Sequence, residues 1–200
     1  MVNRVVTCYG GGLIGSSWAT HFILKGLSTI VYDIDNEKLK EAEERIKDNF
    51  DFLLEQNVID DIELEECLNR FKVTTDKKVA VRDSFFIQEN GPENYEIKRK
   101  IISDIEKFAP KDAIIASSTS GLLISEIARD AENPERIIGA HPYNPPHLIP
   151  LVELSGGDRT KNDVLENASK FYKSIDKEPV ILKKEALGFI SNRLQMALYR

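Results

Sequence analysis

Two groups of residues in this sequence are of types that do chemistry together. The first is His141 with Glu153, twelve residues on, in the stretch AHPYNPPHLIPLVEL. An imidazole titrates at about 6.5 and suits proton transfer. A carboxylate bonded to one ring nitrogen fixes the tautomer, raises basicity and steadies the imidazolium that forms. Glu153 sits among Leu151, Val152 and Leu154, and a carboxylate in apolar surroundings needs a partner. The proline-bent loop between the two residues can return the chain alongside. Ser120, in the turn Ser117–Gly121 (SSTSG), and Asn192, near the end, carry no such signal alone. A serine there reads first as a helix N-cap.

The second group is Gly10, Gly12 and Gly15, at G-x-G-x-x-G spacing in the stretch Arg4–Asp35. Val5 and Val6 open a β-branched run before the glycines. After them Ile14, Trp18 and Phe22 recur every fourth residue, the stripe of an amphipathic helix. Gly26 can end that helix, Ser28 to Tyr32 reads as a second buried strand, and Asp33 closes it. This is the dinucleotide-binding βαβ pattern. Gly10 permits the turn, Gly12 keeps side chains from the pyrophosphate, and Gly15 lets helix pack on strand. The helix N–H groups face phosphate oxygens. Asp33, 18 residues past Gly15, accepts from the adenosine ribose hydroxyls. Its charge repels a 2′-phosphate and no arginine follows nearby in sequence, so NAD is expected rather than NADP.

The elements that must position these residues follow from periodicity. Asn36, read as a cap, opens a helix to about Glu55, and a second runs from Asp60 to Arg70. Strands are expected at 71–74, 84–88, 113–116, 136–140, 149–154 and 179–182. Helices are expected at 93–108, 122–129 and 160–174, with a last one from Gly188. Alternating strands and helices mean an α/β, doubly wound, mostly parallel sheet covered on both faces, with an inserted helix pair. Such sheets bind ligands outside the carboxyl ends of their strands, where 10–15, Asp33, 117–120 and 141–144 all fall.

Composition narrows the class. The chain has 200 residues, 42% hydrophobic and 30% charged, with net charge −6. That suits a soluble fold and gives no footprint for nucleic acid or an anionic membrane. No long apolar run or leader segment is read, and the expected location is cytoplasmic. Cys8 and Cys67 form neither a C-x-x-C nor a metal-ligand pattern, so they read as reduced cysteines and no metal is expected.

The whole chain resembles the L-3-hydroxyacyl-CoA dehydrogenase family, and within it the lambda-crystallin (L-gulonate 3-dehydrogenase) branch. The blocks that carry the likeness are GGGLIGSSWA with YDID, IQENGPENYEIKRKI, ASSTSGLL, AHPYNPPHLIPLVEL and LGFISNRLQ. The resemblance implies a Rossmann-type NAD-binding domain over 1–186. It implies that 187–200 begin an all-α C-terminal domain that carries substrate and makes a homodimer. It implies Ser120, His141, Glu153 and Asn192 as catalytic groups. Leu13, Ile14, Asp33, Glu93, Lys98 and Asn144 would contact the cofactor, although Glu93 and Lys98 otherwise read as exposed charges at a helix head. The implied reaction, in fatty acid metabolism, passes the L-3-hydroxyl hydride of a 3-hydroxyacyl-CoA to NAD, giving the 3-keto product. A free 3-hydroxy acid such as L-gulonate is the alternative substrate, and a non-catalytic crystallin-like NAD-binding protein the alternative role. The family pattern S-N-T-S-S and H-F-F-N-P reads SSTSG and HPYNP here. Its basic helix pair is replaced by an acidic one (Glu43, Glu44, Asp48, Asp51, Glu55, Asp60, Asp61, Glu63, Glu65, Glu66).

Overall fold

The computed structural model describes residues 5–199; Arg4, at the head of the glycine stretch, and Arg200 lie outside the described residues. In chain order the elements are β1 (Val5–Tyr9), α1 (Leu13–Leu24), β2 (Ser28–Tyr32), α2 (Asn36–Glu55), α3 (Asp61–Leu68) and β3 (Phe71–Thr74). Then come α4 (Lys77–Val81), β4 (Ser84–Glu89), α5 (Tyr95–Glu106), β5 (Ile114–Ser117), α6 (Ile124–Ile127), β6 (Ile137–Pro142) and β7 (Leu151–Gly156). α7 (Asn162–Ser174), β8 (Glu178–Ile181) and α8 (Ser191–Leu198) complete the fold.

The strands form one eight-stranded sheet in the order β3-β2-β1-β4-β5-β6-β7-β8. Every pairing is parallel except β6 with β7. The order reverses between β1 and β4, which opens a crevice at their carboxyl ends. Alternation along the strands feeds two cores. Val6, Cys8, Phe86 and Ala116 face a cluster with Trp18, Phe22, Phe50, Phe171 and Tyr172 of α1, α2 and α7. Tyr9, Ile87 and Ile115 face the other, with Ile102, Ile105 and Ile124 of α5 and α6. This is the doubly wound α/β architecture the periodicity predicts, with α2 and α3 as the inserted pair.

The differences are local. Asp35, not Asn36, caps α2, its Oδ1 accepting from Lys38 N at 2.8 Å. Asp60 caps α3 in a reciprocal box with Glu63. α4 is absent from the sequence expectation: five residues are too few to show a period, and the Asp76 cap that starts it reads as a loop residue. The expected helix at 122–129 shrinks to the single turn of α6.

One buried group makes stability depend on pH. His21 on α1 is 4% exposed; its Nε2 donates to Ile175 O at 2.8 Å and its Nδ1 has no partner. Burial, with Lys177 nearby, lowers its pKa to about 3. Between about 6.5 and about 3 the unfolded chain takes a proton that the folded chain refuses, so this residue makes stability fall as pH falls. Urea unfolding at successive pH values should show a slope on the order of 1 kcal/mol per pH unit from this residue. A His21→Asn variant should lose that part of the slope.

Candidate active site

The glycine turn is built as its spacing demands. Gly10 has φ +105°, which L side chains rarely adopt, and a Cβ there would meet Asn90 O at 2.9 Å. A Cβ on Gly15 would lie 1.8 Å from Gly10 O, so this helix–strand approach admits only glycine. At Gly12 a Cβ would project into open space, the space an approaching ligand needs. No side chain caps the start of α1, which leaves its first N–H groups for an anion.

Two clefts flank this helix start at the carboxyl edge. One, of about 680 Å³, is lined by Gly10–Gly12, Tyr32, Asp33, Asn90 and Ile97 among others. Asp33 Oδ2 accepts from Gly11 N at 2.8 Å, so the acid also braces the glycine turn. Arg45 lines the same cleft, contrary to the expectation of no arginine near Asp33; it lies one helix away, and Glu41 pairs with it at 2.7 Å. The other cleft, of about 620 Å³, is lined by Ile14, Ser118, Ser120, His141, Tyr143, Asn144, Ser191, Asn192 and Gln195. An extended dinucleotide spanning both clefts would cross the start of α1 with its pyrophosphate over Gly12, so the residues present fit NAD. Leu13 is exposed at the head of α1.

Antiparallel pairing of β6 with β7 puts His141 directly opposite Glu153. His141 Nδ1 donates to Glu153 Oε2 at 2.8 Å, which leaves Nε2 for the cleft. Glu153, 2% exposed, also accepts from Ile190 N (2.9 Å), Ser191 N (3.1 Å) and Ser191 Oγ (2.8 Å). The Phe189 ring stacks on the imidazole at 5.0 Å. Ser191 and Phe189 carried no sequence signal, because their partners lie 38 and 48 residues away in the chain. Asn192 Nδ2 donates to Ser120 O at 2.9 Å, tying α8 to the serine turn. Ser120 does not cap a helix; Thr119 Oγ1 accepts from Leu122 N instead.

Lys98 is not the exposed charge its place at the head of a helix suggests, whereas Glu93 is exposed but is bonded to the serine turn. Glu93 Oε1 accepts from Thr119 Oγ1 (2.7 Å), Ser120 N (2.9 Å) and Gly121 N (2.7 Å), which fixes the serine turn. Lys98 is 1% exposed, and its Nζ donates to both oxygens of Glu89 (2.9 and 2.8 Å) and to Gly91 O (3.0 Å). Ser117 Oγ donates to the same Glu89 at 2.5 Å. Glu89 thereby locks the ends of β4 and β5 together beside the site.

The profile described as "3-hydroxyacyl-CoA dehydrogenase, NAD binding domain" matches residues 5–186. The chain belongs to this family. It is 36% identical to an L-carnitine dehydrogenase of Streptomyces coelicolor, over 98% of the chain and 61% of the relative. It is also 36% identical to a 3-hydroxyacyl-CoA dehydrogenase of Gibberella moniliformis, over 98% of the chain and 60% of the relative. The solved (S)-3-hydroxybutyryl-CoA dehydrogenase of Ralstonia eutropha superposes with a TM-score of 0.93 at 27% identity, covering 98% of this chain and 68% of that one. The chain thus spans about three fifths of the length of these curated relatives. The lambda-crystallin branch is a narrower placement than these relatives show. The family supplies NAD as the cofactor. No described helix is long and apolar enough to cross a membrane.

The Lys98–Glu89 pair is fully buried, so breaking it is costly. Lys98→Met leaves a buried carboxylate unpaired, and breaking such a pair costs about 3–5 kcal/mol. Chemical denaturation should show a loss of that order, and NAD affinity should fall with it.

Proposed function

We propose that this chain is the coenzyme-binding part of an NAD-dependent dehydrogenase that oxidises the 3-hydroxyl of a small L-3-hydroxy acid, with L-carnitine as the leading candidate. The observation that carries this reading is His141, paired with a buried Glu153, lining one cleft with Ser120, Asn144 and Asn192. His141 Nε2 takes the proton of the C3 hydroxyl, and Glu153 balances the charge that the ring gains. Ser120 and Asn192 hold the hydroxyl oxygen in line. Asn144 faces the nicotinamide end, with Gly12, Leu13 and Ile14 under the pyrophosphate and Asp33 at the ribose. NAD, when bound, supplies the acceptor for the hydride that leaves C3. A positioned base contributes ~10²–10⁴-fold, and alignment of the two bound reactants supplies the remainder.

Two observations favour a free acid over a coenzyme A thioester. The first is that relatives named L-carnitine dehydrogenase reach 36 and 37% identity. The second is the run of carboxylates on α2 and α3, whose field opposes a polyanionic ligand. The 3-hydroxyacyl-CoA reading keeps specific support from the Gibberella relative and the Ralstonia structure. In either case residues 187–200, with α8, read as the start of a helical substrate and dimerisation region.

NADH formation should be assayed in the natural-length protein with L-carnitine, L-gulonate, L-3-hydroxybutyrate and L-3-hydroxybutyryl-CoA side by side. L-carnitine should turn over best, and His141→Ala should lower kcat by about 10²–10⁴ with NAD still bound. Turnover of the thioester alone would replace this reading with the acyl-CoA one. NAD binding without turnover of any substrate would leave a crystallin-like binding protein.

A further inference from the structure

The loop between β6 and β7 carries Asn144 to the second cleft, and it is poor in donors of its own. Pro145, Pro146 and Pro150 have no N–H. Within the loop, Leu148 N and Ile149 N both turn back to Pro145 O, at 3.0 Å each. The carbonyls of Pro146 and Ile149 are met instead from outside. Lys177, just before β8, donates from Nζ to Pro146 O and, at 2.9 Å, to Ile149 O. On the other side, Ser17 Oγ accepts from His147 N at 3.1 Å and bonds His147 Nδ1 at 2.8 Å.

Lys177 is held there at a cost. It is 3% exposed, and among the described residues no carboxylate pairs with it; the adjacent Asp176 goes to Lys25 at 2.7 Å. Its Nζ lies 5.3 Å from the centre of the ring of Trp18, a weak compensation beside an ion pair. The titratable groups that face it are His21 on α1, Lys25 just past the end of α1, and His147 of the loop; of these the Lys25 charge adds to that cost. Burial lowers its pKa to about 8. A buried cation without a counterion that meets two carbonyls of one loop is placed for geometry.

We propose that Lys177 is a positioning residue: it pins the 143–150 loop so that Asn144 meets the nicotinamide half of the coenzyme. The inference rests on the dehydrogenase reading above only in taking Asn144 to face nicotinamide. The adenosine half belongs to the other cleft, at Asp33 and the glycine turn, which Lys177 does not line. Loss of the pin therefore weakens NAD but not ADP-ribose, which lacks nicotinamide. A general loss of structure would weaken both.

Calorimetric titration of Lys177→Met in the natural-length protein should raise the NAD dissociation constant about tenfold and leave that of ADP-ribose within about twofold. Lys177→Arg, which keeps charge and donors, should recover most of the NAD affinity. If thermal melting shows the Met variant unfolded, Ser17→Ala removes the opposite anchor and should give the same selective loss. Equal weakening of both ligands, or weakening of neither, in the folded variant overturns the proposal. Failure of the dehydrogenase reading would look different: no NADH formed from any substrate, with both ligands bound as expected.

Discussion

The site depends on one buried carboxylate. Glu153 accepts four hydrogen bonds, from His141, from the backbone at 190 and 191 and from the Ser191 hydroxyl. It serves the chemistry by fixing the imidazole, and the architecture by fixing the start of α8. The sheet makes this possible with one departure from parallel pairing. A hairpin between β6 and β7 puts Glu153 level with His141; a parallel crossover would have carried the acid to another strand. Because α8 begins on Glu153 and returns Asn192 to Ser120 O, base, acid, serine turn and last helix form one connected unit.

A second buried carboxylate organises the other side. Glu89 holds Lys98, Ser117 and Gly91 N, and so sets the ends of β4 and β5 beside the point between β1 and β4 where the strand order reverses. Buried charge pairs contribute little net stability when compared with apolar packing, yet are costly to break. Here the pair sits where loop geometry decides ligand fit. The glycine turn adds a steric constraint of the same kind, since the contact of Gly15 with Gly10 O leaves no room for a side chain.

Much of this was legible in the sequence. The βαβ unit was, because each glycine answers a local steric demand and the hydrophobic periods on either side are long. His141 with Glu153 was legible as a pair from residue type and the apolar flanks of the acid. What escaped depends on contacts distant in sequence. Nothing local marks Lys98 as buried, since its partner Glu89 belongs to the preceding strand. Phe189 and Ser191 gain their roles only when the chain returns to β7. Lys177 looks like any lysine ahead of a strand until the proline-rich loop is folded over it. Arg45 enters the first cleft because the helix carries it back toward Asp33, a closeness that counting along the chain does not reveal.

Glu153 fixes the imidazole with its proton on Nδ1 and Nε2 bare toward the cleft. Nitrogen-15 NMR of the His141 ring reads this directly at a pH where the ring is neutral. The Glu153 contact predicts a protonated Nδ1 and an unprotonated Nε2 in the native chain, and loss of that preference in Glu153→Gln. A proton found on Nε2, with Nδ1 bare, would contradict it.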